Sequence, residues 1–218
     1  FLSLLFSSEN NAQQIEEIVV TAQKREQKLS DVPLAVSVLG SDQIDASFSN
    51  NLESLQALVP SVSIRTGNTT RNSALTVRGI GTISFSIGAE PSVSTVVDNV
   101  VLGRSGQAFG DLYDLERIEV LRGPQGTLFG KNASAGVVNM VTKRPTEEFE
   151  GYVDLSLFQD GESKIKTRVS GALTDSINAS VTMMDAEFDG FIKNVYNNEK
   201  VNGYDKQGLR AMFDMDLG

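Results

Sequence analysis

The chain has 218 residues, 40% hydrophobic and 22% charged, the balance of a folded protein of one or two domains. Nineteen Lys and Arg against 28 Asp and Glu give a net charge of −9 with no basic stripe to neutralise phosphates, which argues against nucleic acid as a partner. There is no cysteine and no histidine. Disulfide frameworks, thiolate or imidazole metal sites, and Ser-His or Cys-His nucleophile pairs are therefore excluded.

The opening run Phe1-Leu2-Ser3-Leu4-Leu5-Phe6 is short, apolar and followed by polar residues. It reads as the tail of a secretory signal over residues 1–12, with a partly apolar terminus as the alternative. No run approaches the ~20 apolar residues of a membrane helix, so any spanning part has to be a β-barrel. Residues 13–31 form a polar tether that carries one β-branched patch, Ile18-Val19-Val20-Thr21-Ala22, between Glu16-Glu17 and Lys24-Arg25-Glu26. Such a patch suits strand addition to the sheet edge of a partner. It also suits a first strand of the local fold.

Residues 32–145 alternate short strands and short helices without a βαβ rhythm, which predicts an α+β globule. A strand is expected after Pro33, then a helix cap at Ser41-Asp42 and a short helix to Ala46. Leu52, Leu55, Leu58 and Val59 recur at helical spacing until Pro60 stops them. Strands follow at Val62–Arg65, Leu75–Gly79, Val93–Asp98 and Val100–Leu102, and Asp111–Leu115 reads as a helical turn. The loops 66–74, 81–92 and 103–110 between them are long and polar, and offer Arg71, Phe85, Arg104, Gln107 and Phe109 for contact with a ligand.

The densest signal is Asp111–Pro145, DLYDLERIEVLRGPQGTLFGKNASAGVVNMVTKRP. Two β-rich arms, Arg117–Arg122 and Gly136–Thr142, flank a glycine-punctuated loop held by tight turns. Gly126–Asn132 fails as a phosphate loop: three residues separate its glycines instead of four, and Asn132 stands where the magnesium-binding Ser or Thr belongs. The carboxylates Asp111, Asp114, Glu116 and Glu119 lack a nucleophile or ligand spacing and are read as solvated or salt-bridging groups between elements.

After Pro145 the period becomes two. Gly151–Phe158, Lys164–Ser170, Ser176–Met183 and Leu209–Leu217 place apolar residues at mostly odd positions and polar ones between. A transmembrane barrel and a soluble half-buried sheet share this code. Thr174-Asp175 makes a short connection and 189–203 a long, asparagine-rich one, as on the two rims of a barrel.

The Asp111–Pro145 segment resembles the signature of the plug domain of TonB-dependent outer-membrane receptors. The resemblance implies a signal remnant (1–12), a TonB-box tether (13–31), a plug (32–145) and the first four or so strands of an incomplete transmembrane β-barrel (146–218). A barrel of ~22 strands needs over ~200 residues in strands alone, so an N-terminal piece of a longer protein is expected. By the same resemblance Ile18, Val19, Val20, Thr21 and Ala22 are the TonB-binding box, and Arg78 and Arg122 lock the plug to glutamates of the barrel wall. The implied protein is no enzyme and uses no cofactor or metal. It sits in the outer membrane of a Gram-negative bacterium, among outer-membrane lipid, with plug and box toward the periplasm and the 190–203 loop outside. It imports an extracellular small-molecule cargo, an iron–siderophore or related chelate, using TonB and its inner-membrane energising complex. A vitamin or carbohydrate importer and a plug-bearing sensor without transport are the alternatives.

Overall fold

The computed structural model describes residues 18–46, 52, 55–67, 73–83, 88–104, 106–107 and 113–216. The expected signal remnant, Arg71, Phe85 and Phe109 lie outside the described residues.

Up to Thr142 the strands are short: β1 (Val19–Val20), β2 (Gln27–Lys28), β3 (Val36–Gly40), β4 (Val62–Arg65), β5 (Ala74–Val77), β6 (Val93–Val97), β7 (Val100–Leu102), β8 (Leu115–Arg122) and β9 (Gly136–Thr142). Helical turns α1 (Ser41–Ala46), α2 (Leu55–Leu58) and α3 (Gly126–Phe129) fill connections between them. Five of the strands form one mixed sheet in the order β3-β8-β9-β6-β7. The two arms of the signature, β8 and β9, pair antiparallel from Leu115↔Thr142 to Arg122↔Gly136, and β6 joins β9 in parallel.

Central strands covered on both faces need continuous apolar runs rather than alternation, which is why Ile118–Leu121 and Gly136–Met140 are buried without a break. One face packs Ile118, Val120 and Val138 against Leu39, Leu55 and Leu75. The other packs Leu121 and Val137 against Phe129, Val96 and the N-terminal Val20 and Ala22. A Cβ on Gly136 would stand 2.6 Å from the Leu121 carbonyl, so β9 can begin there only as glycine. The loop between the arms is pinned by Gly123 N–H to Ala135 O (3.0 Å) and Gln125 N–H to Ala133 O (2.8 Å).

Two local expectations change. The strand after Pro33 begins only at Val36, whose N–H closes a tight turn onto the Leu34 carbonyl (3.0 Å). The helical turn over 111–115 is not formed in its described part: Leu115 already belongs to β8, and Asp114 takes φ 60°, in the left-handed region. Contacts of its carboxylate, described below, hold it there.

From Glu150 the strands lengthen: β10 (Glu150–Leu157), β11 (Ser163–Thr174), β12 (Ile177–Phe188), β13 (Ile192–Lys193), β14 (Lys200–Val201) and β15 (Tyr204–Met215). β10, β11, β12 and β15 form an antiparallel sheet in that order, and the β13–β14 hairpin rises from the long connection. The sense of the alternation separates the two sheet readings. Val153, Leu155, Ile165, Val169, Val181, Met183, Leu209 and Phe213 are exposed, whereas Lys166, Arg168, Ser170, Ser180 and Thr182 are buried against the globule. A soluble half-buried sheet hides its apolar face. This one turns it outward as a contiguous band, the arrangement of a wall with lipid outside and a polar interior.

That reading sets a depth profile. Val181→Lys, at mid-height of β12 on the outer face, is expected to cost about 2–4 kcal/mol in folding into lipid vesicles, and Asp185→Lys, nearer the rim, under about 1 kcal/mol. Denaturant titration of the full-length protein in vesicles checks it.

Candidate functional site at the seam of globule and wall

Val19 and Val20 pair with Lys28 and Gln27, so the β-branched patch folds back as a two-residue strand. Val20 and Ala22 point into the globule and are fully buried, while Ile18 and Val19 remain exposed. The backbone of the patch is occupied from within: Leu29 N–H donates to Ile18 O (2.9 Å) and Lys24 N–H to Thr21 O (2.9 Å). Thr21 donates twice to the Glu119 carboxylate, through its N–H at 2.8 Å and its hydroxyl at 3.1 Å. In this state the patch is a first strand of the local fold.

Glu119 lies on β8 with no accessible surface. A buried carboxylate is stable only when donors surround it. Besides Thr21, Arg117 Nε donates to Oε1 (2.8 Å) and Asn139 Nδ2, from β9, to Oε2 (3.1 Å). The carboxylate therefore ties the N-terminal strand to the two central strands of the sheet.

A second buried carboxylate joins globule to wall. Asp114 Oδ1 accepts from Arg168 Nη1 on β11 at 2.6 Å, both side chains being almost inaccessible. The second terminal nitrogen of Arg168, Nη2, donates to the Arg144 carbonyl (2.8 Å), while its buried Nε has no hydrogen-bond partner among the described residues. From β15, Arg210 donates to Tyr113 O (3.0 Å), lies 4.9 Å over the Tyr113 ring and stands 4.0 Å from Asp114 Oδ2. Gly208 makes room for that ring, since a Cβ there would come within 2.9 Å of it. Lys166 reaches Asp45 of α1 at 3.2 Å. In the buried part of this seam the wall supplies the cations and the globule the carboxylates; the exposed pair Arg144–Asp214 (3.7 Å) runs the other way.

Residues 28–137 match the family model of the TonB-dependent receptor plug domain. The chain belongs to that family. It is 27% identical to the iron-regulated outer membrane virulence protein of Vibrio cholerae over 97% of its own length and 33% of that protein's. It is 26% identical to the vitamin B12 transporter of Vibrio vulnificus over 89% of this chain and 32% of that one. The crystal structure of the ferric yersiniabactin uptake receptor FyuA from Yersinia pestis superposes with a TM-score of 0.76 at 25% identity, covering 83% of this chain and 28% of that one. The chain thus spans about a third of the length of the curated relatives it matches.

Within the plug, Arg78 sits exposed at φ 53°, its N–H donating to Ser61 O (2.8 Å). Arg122 donates to Ser37 Oγ (2.7 Å) and Ala35 O (3.3 Å). Neither arginine meets a carboxylate among the described residues. The structure does not bring them to Ile18–Ala22, to the Asp114 seam or to each other through any recorded contact. Of the loop residues, Arg104 N–H donates to Gln107 Oε1 (3.1 Å) and Gln107 N–H to Arg104 O (3.1 Å), a small turn at the surface.

Sequence reasoning grouped Asp114 and Glu119 with two other acids and did not single out Asn139, Arg168 or Arg210. The signal for Glu119 was its place inside an aliphatic run, Ile118-Glu119-Val120-Leu121, where a charge survives only with partners. At the opposite rim, burial works against ionisation of Glu162, but hydrogen bonds from Lys164 and Tyr204 outweigh it and hold the carboxyl below its usual range.

Removing one partner of the buried seam pair strands the other. Arg168→Met is expected to destabilise the seated plug by about 3–5 kcal/mol, and Asp114→Asn added to it to recover much of the loss. A double-mutant cycle on the denaturant midpoint of the full-length protein measures this.

Proposed function

We propose that this chain is the plug and first wall strands of a TonB-dependent importer of the Gram-negative outer membrane. The observation that carries the reading is the inverted wall: a polar face closed over a seated globule and an apolar face left outward, which makes a stoppered pore. A four-stranded sheet with open β10 and β15 edges becomes a pore only when further strands complete it. Thr21 lies beside Met212, Phe213 and Asp214, close to the Thr174–Ile177 turn, which supports a periplasmic position for Ile18–Ala22 and an outer one for the β13–β14 hairpin.

In this reading TonB, driven by the inner-membrane proton gradient, adds a strand to Ile18–Ala22 and pulls on the plug. Cargo meets the outer loops, among them Arg71, Phe85, Arg104, Gln107 and Phe109. Arg78 and Arg122 are proposed to pair with glutamates of later wall strands. A ferric chelate is the cargo best supported, because the Vibrio virulence protein is named as iron-regulated and FyuA as a ferric yersiniabactin receptor. The likeness to a vitamin B12 transporter supports a corrinoid importer as the second reading.

Proline at the box removes a strand donor. Val20→Pro in the full-length receptor, expressed in an iron-starved strain lacking its own receptors, is expected to abolish growth on a panel of ferric chelates while leaving their binding to whole cells unchanged. Vitamin B12 uptake is the parallel arm. Loss of binding together with uptake, or unimpaired uptake, contradicts the reading.

A further inference from the structure

We propose that Glu119 is a positioning residue that latches the Ile18–Ala22 strand and sets how readily TonB can take it. The inference rests on the proposed role of that strand as the TonB-binding segment.

Strand addition uses the backbone N–H and C=O groups of the added segment. Most of those groups are already engaged, with Ile18 O on Leu29, Val20 paired with Gln27 of β2, Thr21 O on Lys24, and Thr21 N–H on Glu119. A partner strand can therefore take the groups of Val20 and Thr21 only after they leave these bonds. A pair of two-residue strands has no stability alone, so its place depends on the burial of Val20 and Ala22 and on the ties to Glu119. Asn139 Nδ2 and Arg117 Nη2 also approach the Thr21 hydroxyl, at 3.3 and 3.4 Å, and close the cluster.

The geometry also makes the latch reversible. When Thr21 leaves, Glu119 keeps its bonds from Arg117 and Asn139, so release strands no buried charge. A cavity of about 380 Å³, lined by Thr21, Glu26, Arg117, Asn139 and the wall residues Met212 and Asp214, opens beside the cluster. It is wide enough for water to replace the Thr21 donors.

Glu119→Gln tests the carboxylate itself. With the amide oxygen toward Thr21 and Arg117, Asn139 has to turn its own oxygen to the new N–H, and Thr21 and Arg117 are left with a neutral acceptor in place of a carboxylate. Asn139→Asp in the same chain restores an acceptor and the charge. The readout is maleimide labelling of Val20→Cys in the full-length receptor in lipid nanodiscs. Val138→Cys, fully buried in the opposite core cluster, reports general loosening. Loss of hydrogen bonds to a charged group predicts labelling at position 20 faster by about 10-fold or more, no change at position 138, and reversal by Asn139→Asp. The isolated periplasmic domain of TonB is expected to bind the Glu119→Gln receptor more tightly by a similar factor without cargo. Unchanged labelling at position 20 overturns the latch while leaving the TonB reading intact. Equal acceleration at 20 and 138 reduces Glu119 to a core residue and also overturns it. Faster labelling with no TonB binding to either protein overturns the TonB reading, and the coupling role with it.

Discussion

A carboxylate taken out of water keeps its charge only where donors are held around it. Two such groups sit at the start and in the middle of one stretch of chain, Asp114 just before β8 and Glu119 within it. Their demand for donors dictates what the plug can touch. Asp114 draws Arg168 and Arg210 from the wall, and Glu119 draws Thr21 from the tether. Strand β8 is thereby joined both to the wall sheet and to the N-terminal strand.

These ties differ in what happens when they part. Separating Arg168 from Asp114 breaks the one direct bond between two nearly inaccessible charges, so the plug and β11 are held as one seam. Separating Thr21 from Glu119 leaves the carboxylate still bonded to Arg117 and Asn139. A receptor that must keep a stopper seated yet surrender its tether has use for one contact of each kind. The polarity of the buried pair, a wall cation on a plug carboxylate, is the reverse of the arrangement implied for Arg78 and Arg122.

Periodicity was legible in the sequence because it follows from which faces are covered. The two arms β8 and β9 were legible as β-rich, and the alternation after Pro145 announced a one-sided sheet. What alternation could not give was its sense, because lipid and core are both apolar; only the burial of Arg168 and Thr182 beneath an exposed Val169 and Val181 settles that. The patch Ile18–Ala22 was legible as β-prone, but its docking was not, because Glu119 lies 98 positions away and no local rule links them. The expected helical turn at 111–115 failed in its described part for a related reason: propensity is local, whereas the left-handed Asp114 is set by an arginine from another domain.

Everything said about coupling depends on the resting receptor holding Thr21 inside the plug. Amide hydrogen exchange on the full-length receptor in a membrane, resolved at Thr21, tests this most directly. The structure predicts that the Thr21 amide is protected well beyond open-chain rates alongside β8 and β9. Exchange of residues 18–22 at the rate of a free peptide, with β8 and β9 still protected, would contradict it.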